Sequence, residues 1–488
     1  MKKFGHKSIL IFILTFLAGL FGYLTRMIYA RNLSIEQYGL FYAVFSLVFF
    51  FGPFRDLGLS EATLYHLNKK DNEKKTKSIL IYELIPQLIF GLIFFIIFFS
   101  LRNYIATSYF KDPLALQIMN FLLPLFIIET IALTLSSFLN SKQQFVLFNF
   151  QTFLSGFLRF SLAFLGFRIF KDISNVPAIT YFISQVILII FLASYFIYKY
   201  NYVLKQKFHY EEKLFKSMFS YALPVMFSTA STVILTYSDT ILLTFFKGAN
   251  SVAQYNVAYP SLNIILIFAS AFIGMIFPII SKLYHNRNHN KITELINTLY
   301  NNFLIFTLPL GLIFFSYPKL IVNLLFGEQY LPAAIALQIF ALSFIFIVLR
   351  DINFGVIAGI GKVRQRSKIM YIGAFSNIIL DLILIPFFDI AGAAIATSMG
   401  FLLMAILTAR LIKKEYEINI QKSRIIKIIL SNLFFFISII MLKKLLVFNW
   451  IIEAILVLLI SAIIYLISLF IFKVLTIEYL KDLWKKYF

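Results

Sequence analysis

Long, nearly uninterrupted apolar runs dominate the chain and are separated by short polar segments. A helix of about 20 apolar residues matches the hydrocarbon thickness of a bilayer. Because a helix satisfies its backbone hydrogen bonds internally, such runs predict membrane-spanning α-helices. The pattern predicts about fourteen spans, at residues 8–30, 38–60, 78–101, 114–139, 145–167, 177–198, 217–246, 252–281, 298–317, 333–357, 368–388, 390–412, 425–442 and 449–472.

Composition supports this prediction. Sixty per cent of the 488 residues are hydrophobic and only 14% are charged, whereas soluble domains carry about 25% charge. The chain has no cysteine, which excludes disulfides, thiolate metal sites and a cysteine nucleophile. The sequence therefore predicts an all-α, polytopic membrane protein.

Lysine and arginine are distributed unevenly between the loops. With the N-terminus inside, the predicted cytoplasmic segments contain most of the 44 Lys and Arg residues, as the positive-inside rule requires. This pattern predicts a multi-pass protein of the cytoplasmic membrane of a bacterium or archaeon, with both termini cytoplasmic. The net charge of +22 then orients the spans and attracts anionic membrane lipids, and no nucleic-acid partner is expected.

The two halves of the chain resemble each other. Glu36–Ala43 is similar to Ala253–Tyr259, and Leu64–His66 is similar to Leu283–His285, at nearly the same separation. An even number of spans per copy keeps both copies in the same orientation. We expect two parallel six-helix lobes with a substrate site between them; a duplication without transport is the alternative. The lobes are residues 1–210 (spans 1–6) and 211–415 (spans 7–12), followed by spans 13 and 14 and a cytoplasmic tail at 416–488.

Four arginines fall within predicted spans: Arg26, Arg55, Arg159 and Arg350. On insertion scales a charge at the centre of a bilayer costs about 2.5–3.5 kcal/mol. We therefore expect these side chains to face a wet cavity or a partner, where guanidinium groups suit a phosphate-bearing cargo. Snorkelling of Arg26 or Arg55 to the headgroups, or a structural salt bridge, is the alternative. Adjacent residues of a helix point about 100° apart, so neither Arg55 and Asp56 nor Arg350 and Asp351 need neutralise each other.

Three carboxylates in predicted spans are candidates for ion coupling: Glu129, Asp239 and Asp381. A carboxyl group in a partly dehydrated site can carry a proton during transport. Coupling to a proton or sodium gradient, or to the membrane potential, is the corresponding expectation, without any bound cofactor. Helix capping near the interface explains Asp239 and Asp381 equally well.

The sequence gives little support for a catalytic site. All five histidines fall in predicted cytoplasmic segments beside lysines, and the sequence contains no metal-ligand spacing, Gly-rich phosphate loop or GxSxG motif. We predict a protein that is not an enzyme and has no metal site.

Several ordered motifs resemble the Wzx-type polysaccharide flippases of the multidrug, oligosaccharidyl-lipid and polysaccharide exporter superfamily. They are Thr25–Ser34 followed by Glu36–Phe41, Asp56–Leu59, Leu325–Gly327 with Tyr330, Gly361–Lys362, Asn377–Asp381 with Ile385–Pro386, and Gly392–Thr397.

The resemblance implies translocation of polyprenyl-pyrophosphate-linked oligosaccharide units by alternating access, for cell-surface polysaccharide biosynthesis. It implies a polysaccharide polymerase and glycosyltransferases as partners. Related lipid II flippases have arginines near the pyrophosphate in their first two spans, and Arg26 and Arg55 are similar in position; Arg159 and Arg350 match no motif. Two alternatives stay open: a lipid II or drug exporter of the same superfamily, and a membrane-bound polysaccharide polymerase or transferase.

Overall fold

The protein is described by a computed structural model over residues 2–446 and 449–476, without the side chains of residues 2–8, 70, 71, 73, 262–265, 267–273 and 275. Residues 477–488, most of the predicted cytoplasmic tail, lie outside the described residues. The described chain is helical and contains no strand, which confirms the all-α prediction. Its helices are α1 (Lys2–Asn32), α2 (Ile35–Phe50), α3 (Gly52–Asp56), α4 (Leu59–Leu67), α5 (Thr76–Tyr104), α6 (Leu114–Leu122), α7 (Leu125–Ser141), α8 (Phe145–Ile169), α9 (Val176–Lys205), α10 (Glu212–Lys247), α11 (Ala249–His285), α12 (His289–Asn302), α13 (Leu304–Ser316), α14 (Pro318–Phe326), α15 (Ala334–Gly359), α16 (Val363–Glu415), α17 (Lys422–Leu445) and α18 (Trp450–Ile471).

Twelve helical segments of the described chain are long and apolar enough to cross a membrane. One of them, α16, has 53 residues, which at about 1.5 Å per residue is far longer than one bilayer crossing. The two predicted spans 368–388 and 390–412 both lie in α16, and Asp389 between them has non-helical dihedral angles (φ 52°, ψ −131°). The multi-pass prediction is confirmed, whereas the count of about fourteen stays a prediction.

Predicted span 2 is not one helix but three. Pro53 lies in the first turn of α3, where its missing N–H costs no hydrogen bond. Leu57 and Gly58 both have left-handed dihedral angles (φ 56° and 72°) and separate α3 from α4. Gly58 is required here because a Cβ would lie 2.2 Å from the carbonyl oxygen of Ala222 in α10. These breaks leave Arg55 on a short helical turn.

The packing divides the chain into two compact units. Unit 1 contains Met1–Pro260, Leu325–Tyr330 and Ala374–Ala396, and unit 2 contains Ser261–Leu324, Leu331–Gly373 and Thr397–Phe488. These boundaries follow packing rather than internal similarity and differ from the predicted ones at 210 and 415. The predicted duplication and its lobes stay a prediction.

Each unit has its own hydrophobic core. In unit 1 the core joins α4, α5, α7, α9 and α10 through fully buried side chains such as Leu59, Ile79 and Phe138. In unit 2 the buried side chains of Phe435 and Val457 join α13, α17 and α18. Tyr465 of α18 also donates a hydrogen bond to the carbonyl oxygen of Ile305 at 2.7 Å. The last two helices of the described chain are therefore anchored on α13.

Candidate functional site

Arg55 is buried and forms an ion pair across unit 1. Its Nη2 lies 3.0 Å from Oε2 of Glu129 in α7, and its Nη1 donates to the carbonyl oxygen of Leu125 at 3.2 Å. The neighbouring Asp56 instead accepts hydrogen bonds from Ser60 and Gln87. As expected from their divergent directions on the helix, Arg55 and Asp56 form no ion pair with each other, although their charges interact electrostatically.

Arg26 is half-buried and lies against aromatic rings. Its guanidinium carbon is 4.4 Å from the ring centroid of Tyr42, and its Nη1 is 3.5 Å from the carbonyl oxygen of Asn256. It also interacts electrostatically with Tyr38 and Tyr237. A guanidinium over an aromatic face is attracted by the ring quadrupole, which holds this side chain inside unit 1 rather than extended toward the end of α1.

Arg159 occupies the same part of unit 1. Its Nε donates to the carbonyl oxygen of Ser155 at 3.1 Å, and its guanidinium carbon is 5.1 Å from the ring centroid of Tyr181. It interacts electrostatically with Tyr42 and with Glu129. Arg159 therefore shares an aromatic neighbour with Arg26 and a carboxylate neighbour with Arg55.

These contacts define one cluster in unit 1, the arginine–tyrosine cluster. Three guanidinium groups and a single carboxylate give it an excess of positive charge. Within the described part of the chain, only Arg55 of the three is within ion-pair distance of a carboxylate. The other two guanidinium groups keep N–H donors for an anion, and forked donors suit the oxygens of a phosphate. The members are Arg26, Arg55, Arg159, Glu129, Tyr42, Tyr181 and Tyr237.

Arg350 is not a member of this cluster. It belongs to unit 2, and its Nε and Nη2 both lie 2.8 Å from Oδ1 of Asp351. Its guanidinium carbon is 4.5 Å from the ring centroid of Phe401. Here the adjacent residues do pair, unlike Arg55 and Asp56, because the long arginine side chain bends back to its neighbour. Direct contact of Arg350 with substrate stays a prediction.

Asp239 and Asp381 form a buried pair in unit 1, the aspartate pair. Their side chains are 1% and 0% exposed, and their carboxyl groups interact with each other. Tyr255 donates a hydrogen bond to Oδ2 of Asp239, and Nδ2 of Asn377 donates to its Oδ1 at 3.2 Å. Both aspartates lie inside long helices, α10 and α16, so the helix-capping alternative is wrong. Two adjacent buried carboxyl groups favour the binding of a positive charge between them.

Glu129 has different surroundings from the other two coupling candidates. It is paired with Arg55 and close to Arg159, so its charge is compensated by arginine. The structure therefore favours a counterion role for Glu129 over ion coupling. Among the described residues, no group of three or more histidine or acidic side chains is arranged to hold a metal ion.

A family model described as "Polysaccharide biosynthesis protein" matches residues 4–284, more than half of the chain. The chain belongs to this family. It is 31% identical to the uncharacterized membrane protein MJ1068 of Methanocaldococcus jannaschii, across 96% of both chains. It is also 26% identical to the probable low-salt glycan biosynthesis flippase Agl15 of Haloferax volcanii, across 37% of this chain and 38% of that protein.

Solved transporters share the fold of this polysaccharide biosynthesis protein. The lipid II flippase MurJ in an inward closed conformation superposes with a TM-score of 0.79 at 20% identity, covering 95% of this chain and 98% of MurJ. An inward-facing multidrug resistance MATE family transporter of the MOP superfamily superposes with a TM-score of 0.68 at 15% identity, covering 81% and 94%. The predicted resemblance to the polysaccharide flippase family is confirmed by the family match and by the shared fold.

Sequence reasoning missed several polar members of these sites. Tyr42, Tyr181 and Tyr237 gave no signal, because tyrosine is abundant in this chain, with 27 residues. Outside these two sites, the polar residues Glu83 and Gln87 of α5 are fully buried, which the apolar run at 78–101 does not predict. An acidic residue in a membrane span is itself a functional signal, so Glu83 could have been found.

Proposed function

We propose that this protein is a flippase that moves polyprenyl-pyrophosphate-linked oligosaccharides across the cytoplasmic membrane by alternating access, for cell-surface polysaccharide biosynthesis. The observation that carries the proposal is the arginine–tyrosine cluster, an excess of guanidinium groups inside a unit of a multi-pass protein of this family. Arg26 and Arg159 bind the pyrophosphate, and Arg55 is positioned by Glu129. The tyrosine rings hold the guanidinium groups in place while the site is empty.

The excess positive charge also separates this proposal from its alternatives. A drug exporter with cationic cargo would be repelled by the cluster, whereas a diphosphate would be attracted. Lipid II is itself a polyprenyl-pyrophosphate-linked glycan, so a lipid II flippase would use the same cluster. The proposal includes both termini in the cytoplasm, glycosyltransferases that supply the substrate and a polymerase that consumes it.

The test is translocation by the purified protein in liposomes. A labelled polyprenyl-pyrophosphate-linked glycan is added, and its arrival in the opposite leaflet is measured with a membrane-impermeant reagent. Arg26→Ala and Arg159→Ala are each expected to lower the rate roughly tenfold or more, because a hydrogen bond to a charged group contributes about 1.5–3 kcal/mol. Lysine at either position should rescue only partly, since it lacks the bidentate fork.

Arg168→Ala is the matched control. Arg168 is an exposed arginine of the same helix, α8, and also lies against an aromatic ring, 4.0 Å from the centroid of Phe164. The Arg168→Ala variant should translocate the labelled glycan lipid at the wild-type rate. Wild-type rates for both Arg26→Ala and Arg159→Ala would overturn the proposed role of the cluster, and incorporation of repeat units into polymer would favour the polymerase alternative.

We propose in addition that the aspartate pair couples translocation to a proton or sodium gradient. Burial of two facing carboxyl groups is stable only when a positive charge or a proton is bound. Asp381→Asn should leave translocation insensitive to both gradients, whereas the exposed Asp172→Asn should respond as wild type. Applying each gradient separately identifies the ion, and an unchanged response of Asp381→Asn contradicts the coupling role.

A further inference from the structure

A second buried acidic site lies in unit 1, separate from the aspartate pair. It consists of Asp56 at the end of α3 and Glu83 in α5. Glu83 is 0% exposed, and the two carboxyl groups interact electrostatically. Ser60 of α4 bridges them, with its Oγ 2.5 Å from Oδ1 of Asp56 and 3.1 Å from Oε1 of Glu83. No established or proposed step above uses this site.

Gln87 points into the site and has an unsatisfied acceptor. The side chain is 0% exposed, and its Nε2 donates to Oδ1 of Asp56 at 2.8 Å and to Oγ of Ser60 at 3.3 Å. Its Oε1 has no hydrogen-bond partner among the described residues. An unsatisfied buried acceptor costs about 1–3 kcal/mol. If the amide turns over, Oε1 faces both Asp56 and Ser60, where a protonated carboxyl group of Asp56 or the hydroxyl group of Ser60 can donate to it.

The hydroxyl group of Ser137 makes more contacts than its one hydrogen can serve, while the side chain of Thr63 also hydrogen-bonds to Glu83. Oγ of Ser137 lies 3.0 and 2.9 Å from the two carboxylate oxygens of Glu83 and 2.9 Å from the carbonyl oxygen of Thr134. A serine hydroxyl has one hydrogen but two lone pairs. All contacts of Ser137 are satisfied when Glu83 is protonated and donates to Ser137 Oγ, while Ser137 donates to Thr134.

The charges around the site do not compensate Glu83. In the described part of the chain its charged neighbour is Asp56, which has the same sign, and an ionised carboxylate buried without a cation costs several kcal/mol. Arg55 of α3 pairs with Glu129 of α7 and also interacts electrostatically with Asp56, and the exposed Glu61 of α4 interacts with Asp56 as well. His66 of α4 interacts with Lys69 and Ser217, and Lys199 and Lys205 of α9 are exposed.

The oxygen atoms of the site lie at hydrogen-bond distances from each other. The contacts of Ser60 with Asp56 and Glu83, and of Ser137 with Glu83, measure 2.5–3.1 Å. This is close to the range of O–H···O hydrogen bonds, so a proton on one carboxyl group fits the geometry.

We propose that Asp56 and Glu83 form a proton-binding site in unit 1, and that Glu83 carries the proton in the described conformation. When water reaches the site, the carboxyl group of Glu83 releases its proton to that water and becomes a carboxylate. Glu83 interacts with Asp56, which in turn interacts with Arg55 of the arginine–tyrosine cluster. The new negative charge on Glu83 therefore weakens the attraction of this cluster for a diphosphate. This link to transport rests on the proposed function; the proton site itself does not.

Infrared difference spectroscopy of the purified, full-length protein tests the proton site without any substrate. A protonated carboxyl group has a C=O stretching band that a carboxylate lacks. The wild type is expected to show a band that is absent from Glu83→Gln and retained in the control Glu212→Gln, which changes an exposed glutamate. Ser137→Ala, which removes the acceptor but keeps the acid, should shift the band without abolishing it. A spectrum of Glu83→Gln that retains every carboxylic acid band would overturn the proposal.

Translocation in liposomes tests the link to transport. Glutamine at position 83 keeps the shape and hydrogen bonds of the protonated acid, so Glu83→Gln should still translocate the labelled glycan lipid but should lose most of the acceleration by a proton gradient. The control Glu212→Gln should respond as wild type. An unchanged response of Glu83→Gln overturns the link. Absence of translocation by the wild type overturns the proposed function, while the infrared result still decides the proton site.

Discussion

At the scale of single residues, the arginines of unit 1 are stabilised in two different ways. Arg55 is compensated by a carboxylate at 3.0 Å. Arg26 and Arg159 lie against the rings of Tyr42 and Tyr181, and a cation over such a ring gains about 0.5–2 kcal/mol. Ring contacts leave the N–H edges of the guanidinium group available, so these two side chains can be ordered and still accept an anion.

The ion pair of Arg55 with Glu129 makes a stability prediction. Both side chains are largely buried, at 8% and 12% exposure. Glu129→Ala leaves the buried guanidinium group of Arg55 without its partner and should lower the free energy of unfolding by about 3–5 kcal/mol. Replacing both residues with methionine should restore much of that lost stability. Thermal unfolding of the purified variants measures the difference. Glu212→Ala, which removes an exposed pair with Lys216, should change little; a double variant no more stable than Glu129→Ala would contradict this account.

At the scale of helices, two asparagines of α12, the asparagine clamp, hold the linker between α16 and α17 (residues 416–421) by hydrogen bonds. Asn297 and Asn301 of α12 are four residues apart and therefore share one face of the helix. Each side-chain amide can donate and accept, as a backbone peptide does. Nδ2 of Asn297 donates to the carbonyl oxygen of Glu417 at 3.4 Å, and Oδ1 of Asn297 accepts from the backbone N–H of Asn419 at 2.8 Å. Nδ2 of Asn301 donates to the carbonyl oxygen of Asn419 at 3.0 Å, and Oδ1 of Asn301 accepts from the backbone N–H of Gln421 at 2.8 Å.

The clamp predicts a local change in hydrogen exchange. In the double variant Asn297→Ala/Asn301→Ala, the amides of Asn419 and Gln421 lose their acceptors and should exchange faster with deuterium, while α17 stays protected. Mass spectrometry of peptides covering the linker provides the measurement. Asn290→Ala, at an exposed position of the same helix, is the control and should not alter the linker. Unchanged protection in the double variant would show that packing, not the clamp, orders this segment.

At the scale of the whole molecule, the distribution of charge predicts which loops face the cytoplasm. The chain has no cysteine, so a single introduced cysteine can be labelled without background labelling of native thiols. Asn68→Cys lies in a predicted cytoplasmic loop and Lys171→Cys in a predicted external loop, and both positions are exposed. A membrane-impermeant maleimide added to intact cells should label position 171 and leave position 68 unlabelled until the membrane is opened. The reverse pattern would contradict the orientation.

The sequence by itself determined the class of structure and pointed to several of the site residues. Apolar runs of bilayer length predict spanning helices because no other open structure satisfies its backbone in lipid. Charged residues stand out in such runs, so Arg26, Arg55 and Arg159 could be identified from the free-energy cost of placing a charge in the membrane. The same reasoning reached Asp239 and Asp381, whose pairing it could not foresee.

Only the tertiary structure decided which of these charges meet. The breaks at Pro53 and Leu57–Gly58 turn Arg55 toward Glu129 and Asp56 toward Ser60 and Gln87, although the two residues are neighbours in the chain. Likewise α10 and α16 bring Asp239 and Asp381 together from distant parts of the chain. The physical reason is that the free-energy cost of burying a charge can be estimated from the residue and the apolar stretch around it. Whether that charge is compensated depends instead on side chains that distant helices place within a few ångströms.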